Sequence, residues 1–386
     1  MNVDEGRMHL RAGQMLNDLG GAASVAMVRI GDALGLYKTI HEKGSMTCDE
    51  LAAAANVHPR YLREWPAHQT ASNYLSYDAA TQKFSLSPEQ AMFFAIEDSP
   101  VAMMGAFDGV AVWVQAQTRV HEAFRNGDGI DWGDHGPCLF CAVARFFRPG
   151  YLNKLIQNWL PALDGVVPKL RDGARVADVG CGHGWSTVFM AQAFPQSRFI
   201  GYDFHSGSVE AAKAHAGEHS VTNVEFHVGT AKEYPGSDFD FVTFFDCLHD
   251  MGDPAGAAAH VKQSLKPDGN WMIVEPMAGD GTSLAGRPFR SLQYVAAHLG
   301  KPDIRAVALH ALANVIHIDD EEAGSLQLSR TCIVRVDPIV RDKAGASRHK
   351  QDCRVQPAPK WSQDSQGVLI SHSRRQQGGN NPETGQ

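Results

Sequence analysis

Val176-Ala177-Asp178-Val179-Gly180-Cys181-Gly182-His183-Gly184-Trp185-Ser186 is the stretch whose reading decides the fold. A short apolar run enters a loop with glycine at every second position, and a helix-compatible segment starts near Ser186. Glycines there permit positive φ and let a ligand approach the backbone closely. An acid, Asp203, stands at the end of the next apolar run, where a nucleotide ribose is gripped through its hydroxyls in open α/β sheets. The spacing separates two ligand classes. A dinucleotide GxGxxG counted from Gly180 needs a small residue where Trp185 stands, and counted from Gly182 it meets Thr187. The GxGxG form, with Asp178 two residues ahead of it, suits a nucleoside ligand without phosphates, of which S-adenosylmethionine is one.

Working outward, apolar runs alternate with helical patterns. Strands are expected at Val176–Val179, Arg198–Tyr202, Val224–Val228, Phe239–Phe245 and Trp271–Glu275, the last entered through a Lys266-Pro267-Asp268-Gly269 turn. That alternation signals a parallel sheet with crossover helices. Upstream the pattern is different. Helical spacing in Ala22–Ile40 and Leu51–Val57, a capping box from Thr47 to Glu50 and a third helix over Arg60–Tyr74 precede two short strands, Tyr74–Tyr77 and Lys83–Leu86. This is a winged-helix pattern, and Pro66 predicts a kink or early break in its third helix. Glu97–Leu163 reads as helical with one surface loop around Gly127–Pro137. The expected organisation is a winged-helix, dimerising domain over 1–95, a helical linker and substrate-side region over 96–165, a nucleoside-binding domain over 166–340 that diverges after Gly281, and a tail over 341–386 whose polar composition reads as disordered.

The chain of 386 residues has 35 basic and 43 acidic side chains, a balance that repels a phosphate backbone and argues against nucleic acid. Arg60 and Arg63 are the bases a DNA-reading third helix would use. Seven cysteines form no paired framework, so reduced thiols are expected. Cys138-Leu139-Phe140-Cys141 lacks a second ligand pair, and reads as half-buried thiols beside an aromatic run with no metal. No apolar run reaches the roughly 18 residues that span a bilayer, and the first residues do not resemble a secretory signal, so the expected address is cytoplasmic.

The motifs GDALGLY, LREW, WGDH, RFFRPGY, ADVGCGHG, FFDCLHDMGDP and LKPDG with MIVEP, in this order between Ala22 and Gly279, resemble those of class I S-adenosylmethionine-dependent methyltransferases, in a bacterial-type subgroup with an N-terminal winged helix. The resemblance implies a Rossmann-like, doubly wound α/β sheet and methyl transfer to a small organic acceptor, chiefly at oxygen; a homodimer is expected instead from the Ala, Val, Ile and Leu rich surface of Ala22–Tyr37. It implies that Gly180, Gly182 and Gly184, preceded by Asp178, contact the methionine part, that Asp203 binds the ribose, that Gly229, Thr230 and Ala231 lie against the adenine, and that Phe245 and Asp246 line the exit of the fourth strand. His249 resembles the histidine of an LHDW segment that acts as general base, the alternative being a pocket wall; Asp246, Asp250 or Asp253 could orient it. His183 reads as a loop-backbone partner rather than a catalyst. After Gly281 no counterpart of the family's closing antiparallel strand pair is found. The rival reading is a winged-helix regulator that binds the cofactor as a signal.

Overall fold

A computed structural model describes residues 3–275 and, beyond them, only the short strands named below. The N-terminal part is helical because each segment has its own stop and start. α1 (Glu5–Ala33) is capped by Asp4, which accepts from Arg7 N. α2 (Leu36–Lys43) and α3 (Cys48–Ala55) follow, and Thr47 and Glu50 make both bonds of the capping box. The third helix is divided at Arg63 into α4 (Pro59–Leu62) and α5 (Glu64–Ala71). Pro66 thereby falls in the first turn of α5, where the N–H it lacks would have had no intrahelical partner. The wing pairs β1 (Ser76–Asp78) antiparallel with β2 (Lys83–Ser85) and leads to α6 (Pro88–Phe94). Val28, Leu36, Ile40, Leu51, Leu62 and Trp65 form its core, and the buried Tyr37 hydroxyl donates to Gln69 Oε1 at 2.6 Å.

α7 (Met104–Gln115), α8 (Gln117–Asn126), a 3₁₀ turn at Trp132–Asp134 and α9 (Pro137–Gly150) build the middle region. α9 runs into a π-helix over Tyr151–Trp159 just after Pro149, which has no N–H to continue the α-helical ladder. Arg145 on α9 reaches Asp32 on α1, Asp108 on α7 and Glu97. One guanidinium thus fastens the middle helices to the winged helix.

The second half is one parallel sheet. β3 (Arg175–Val179), β4 (Arg198–Asp203), β5 (Val224–Val228), β6 (Phe239–Phe245) and β7 (Leu265–Val274) lie in the order β5-β4-β3-β6-β7. The intervening helices are α11 (Trp185–Ala193), α12 (Ser206–Glu218) and α13 (Pro254–Ser264), with α10 (Val166–Asp172) leading in. Both faces are covered. Val176, Phe241 and Phe245 enter one core cluster with α10, α11 and the π-helix, while Ala177, Val179, Val242 and Phe244 enter the other with α13. Burial on both sides explains why the central strands β3 and β6 read as nearly continuous apolar runs, whereas the edge strand β5, Val-Glu-Phe-His-Val, alternates and buries only Phe226. β7 begins earlier than expected, because Leu265 pairs with Phe239 and Asn270 with Phe241, so the Lys-Pro-Asp-Gly segment is a bulge in the strand.

The part of the expected 166–340 domain beyond residue 275 and the tail over 341–386 lie largely outside the described residues. Within them are an antiparallel pair of β8 (Ala313–Asn314) with β9 (Arg330–Thr331) and another of β10 (Trp361–Gln363) with β11 (Leu369–Ser371). The cysteines of the CxxC are corrected by the structure: Cys138 and Cys141 are both exposed, because residues three apart share a helix face and Leu139 and Phe140 take the buried one.

α7 and α9 approach so closely that a Cβ on Gly105 would stand 2.7 Å from Ala142 O and Phe146 Cα. Backbone cannot yield as a side chain does. Gly105→Ala is expected to lower unfolding free energy by about 1–3 kcal/mol or more, read as a shift in urea midpoint at unchanged slope.

Candidate functional site

The strand order reverses at β3, whose neighbours are β4 on one side and β6 on the other. The crevice outside the carboxyl ends of such strands is where open α/β sheets bind ligands. The loop from Gly180 to Gly184 sits there. Gly180, Gly182 and Gly184 have φ of 72°, 51° and 76°, a region that L side chains rarely adopt. A Cβ on Gly180 would meet Cys247 Sγ at 2.7 Å and one on Gly184 would meet Ala212 Cβ at 2.7 Å, but one on Gly182 would meet nothing. Two glycines serve packing; Gly182 faces open space.

Asp178 supports the loop from within. It is 1% exposed and accepts from Ser186 Oγ, Thr187 Oγ1 and Thr243 Oγ1 at 2.7, 2.6 and 2.9 Å. Burial pushes its carboxyl up to about 6 despite these bonds. Asp203, at the end of β4, accepts from Gly182 N and His205 N, both at 2.9 Å, and burial raises it too. Each of its oxygens keeps a lone pair. Gly229 N donates to Asp203 O at 3.0 Å, bringing Gly229, exposed Thr230 and half-buried Ala231 beside the same edge. Phe204, next to Asp203, leaves 51% of its surface exposed. His205 stacks on Phe140 of α9 at 4.1 Å, and Trp132 packs edge-on against Phe140. An open glycine, a buried acid with free lone pairs and an exposed flat ring fit a nucleoside.

At the end of β6, Asp246 has φ of 53°, while the Phe245 side chain turns into the core against Tyr151. His249 follows in a 3₁₀ turn. Its Nδ1 lies 2.5 Å from Glu275 Oε2, and Glu275 Oε1 accepts from Cys247 N and Leu248 N. Nε2 lies 3.4 Å from Asp250 Oδ1, and Asp246 Oδ1 is 4.0 Å from Nδ1. Burial alone would lower the imidazole, but the Glu275 bond and the charges of Asp246 and Asp250 outweigh it and raise it to about 10. The orienting carboxylate is therefore Glu275 and not one of the aspartates expected from the sequence. The available signal was its place at the end of β7, the strand beside β6. Asp253 instead caps α13 through Gly256 N. His183 contributes its backbone oxygen to the His215 ring at 2.9 Å. Asp246, His249 and Glu275 hold ligand-type atoms within 4.8 Å of one another, yet two ligands of one ion at about 2.1 Å would sit about 3 Å apart. The Nδ1–Oε2 distance is that of a hydrogen bond.

Residues 170–299 match the family model of a methyltransferase domain, and residues 22–95 match the Rv2258c-like winged HTH domain. The chain thus joins a winged HTH domain to a methyltransferase domain. Among relatives of this chain, the ubiquinone biosynthesis O-methyltransferase of Leptothrix cholodnii is 35% identical over 133 residues, 33% of this chain and 53% of that one. The trans-aconitate 2-methyltransferase of Deinococcus radiodurans is 33% identical over 121 residues, 31% of this chain and 45% of that one. The chain thus spans about half the length of the curated relatives it matches. Two solved structures share its fold: the mitomycin 7-O-methyltransferase MmcR, with TM-score 0.56, 18% identity and coverage of 76% and 87%, and human N-acetylserotonin methyltransferase in complex with S-adenosylmethionine, with TM-score 0.56, 16% identity and coverage of 75% and 86%. Among the described residues no single helix is long and apolar enough to cross a membrane.

Replacing Asp178 by Asn takes away one acceptor face and the charge. The variant is expected to lose about 1–3 kcal/mol at pH 7. Between 3.8 and about 6 the unfolded chain has released a proton that native Asp178 keeps, so the wild type loses stability as pH rises through that window. Denaturation curves of the Asn variant should lack this part of the slope.

Proposed function

We propose that the protein transfers a methyl group from S-adenosylmethionine to a hydroxyl oxygen of a small organic acceptor, with His249 as general base. The observation that carries this is the Glu275–His249 hydrogen bond at the carboxyl edge of the sheet. It holds a proton at Nδ1, so that once the ring has given up its second proton Nε2 can receive one from the acceptor. When bound, the cofactor supplies an electrophilic methyl on a sulfonium and departs as S-adenosylhomocysteine. Gly180, Gly182 and Gly184 would hold its methionine part, Asp203 the ribose, and Gly229, Thr230 and Ala231 the adenine, with Phe204 as a flat neighbour. Phe245 backbone and Asp246 would border the methyl end, and Asp178 is a positioning residue. Catalysis then consists of alignment of acceptor and methyl carbon, plus removal of one proton. Transfer at oxygen draws support from the names of the Leptothrix relative and of MmcR.

The enzyme reading is favoured over the regulator by the third helix. Arg60 pairs with Glu64 and Arg63 lies 3.9 Å from Asp49, so both bases face carboxylates of their own domain. A homodimer in the cytoplasm belongs to the same proposal. α1 leaves Leu10, Met15, Leu16 and Leu19 each at least 65% exposed, apolar surface that a second copy would cover. Sedimentation at micromolar concentration should give twice the chain mass, and Leu16→Glu with Leu19→Glu should give the monomer.

Two experiments test the chemistry. Asp203→Ala should weaken S-adenosylhomocysteine binding by about 1.5–3 kcal/mol in calorimetry; unchanged affinity would remove the ribose assignment.

In single-turnover assays with a hydroxylated acceptor, the rate should climb from pH 7 toward 9, because the base form of His249 grows as pH nears about 10. His249→Ala should abolish that slope and cut kcat by about 10²–10⁴-fold with cofactor affinity intact. A raised KM with kcat preserved would make His249 a pocket wall.

A further inference from the structure

We propose that Cys138 and Cys141 are a reversible disulfide site that acts on the nucleoside crevice through Phe140. Both are exposed, and they are the second and fifth residues of α9. Residues three apart on a helix have Cα atoms about 5 Å apart, inside the range of about 4.4–6.8 Å that a disulfide accepts. Their Cβ atoms, about 5–6 Å apart in a regular helix, must close to about 3.5–4.5 Å. The first turn of α9 therefore has to tighten. It is free to do so: Gly136 caps it with no side-chain bond and Pro137 opens it.

Leu139 and Phe140 stand between the two thiols on the opposite, buried face. Phe140 stacks on His205 at 4.1 Å, and His205 N donates to Asp203 Oδ1. A turn that tightens at Cys138 and Cys141 moves the Phe140 ring against His205, and so disturbs the acid at the end of β4. The oxidant is a low-molecular-weight disulfide. One cysteine thiolate attacks it, forming a mixed disulfide and releasing one small thiol. The second cysteine attacks the mixed disulfide and releases the other. The cysteines lose two electrons and two protons, which the two small thiols carry away. The coupling to binding rests on the cofactor reading above; formation of the bond does not.

The full chain is incubated with glutathione disulfide, alkylated and digested with trypsin. In the peptide from Asn126 to Arg145 both cysteines should escape alkylation and the mass should fall by two hydrogens. Calorimetry should show S-adenosylhomocysteine bound about two- to tenfold more weakly by the oxidised protein, the range that an aromatic contact is worth. Dithiothreitol should restore it, and Cys138→Ser or Cys141→Ser should show no change on oxidation. Alkylation of both thiols after glutathione disulfide overturns the site, and a disulfide with unchanged affinity overturns the coupling. Failure of the reduced protein to bind S-adenosylhomocysteine overturns the cofactor reading instead, while the peptide map still decides the disulfide.

Discussion

One buried carboxylate holds the functional half of this molecule in register. Asp178 lies near the end of β3 and receives hydroxyl hydrogen bonds from the start of α11 and from β6. A carboxylate out of water is costly unless its lone pairs are met, and here three donors meet them. In return, strand, helix and neighbouring strand are fixed around the glycine loop. With both ends held, the loop keeps its left-handed conformations, and Gly182 N is aimed at Asp203. The acid at the end of β4 and the loop are thus one hydrogen-bonded unit.

The other wall of the crevice depends on strand adjacency. β6 and β7 are neighbours, so Glu275, one residue past β7, comes beside His249, which follows β6. Glu275 also accepts two backbone N–H groups of the same turn, so the group that orients the imidazole also fixes the turn that carries it. Three carboxylates around one ring favour its protonated form. If His249 is the base proposed above, it works only after giving up that proton.

The middle helices close the arrangement from outside. The Arg145 clamp links α9 to α1 and α7, and the π-helix after Pro149 carries Tyr151 onto Phe245. The winged helix and the crevice are therefore connected through α9, the element that also brings Phe140 to His205.

Local chemistry determined much of this. Apolar runs of strand length mark four of the five parallel strands to within a residue and the second half of β7, whose first half is a polar, bulged segment. Thr47 and Glu50 mark a helix start because a capping box is a short-range hydrogen-bond exchange. Pro66 marks a break because its missing N–H is intrinsic to the residue. The glycine spacing and Trp185 select a nucleoside over a dinucleotide, since steric limits at each position are local. Tertiary structure alone decided the rest. It made Glu275, not a nearby aspartate, the partner of His249, turned Asp178 inward, and put Phe140 on His205. These pairings join residues far apart along the chain through strand order and helix packing, and a linear pattern holds no record of which side chains folding brings within hydrogen-bond reach.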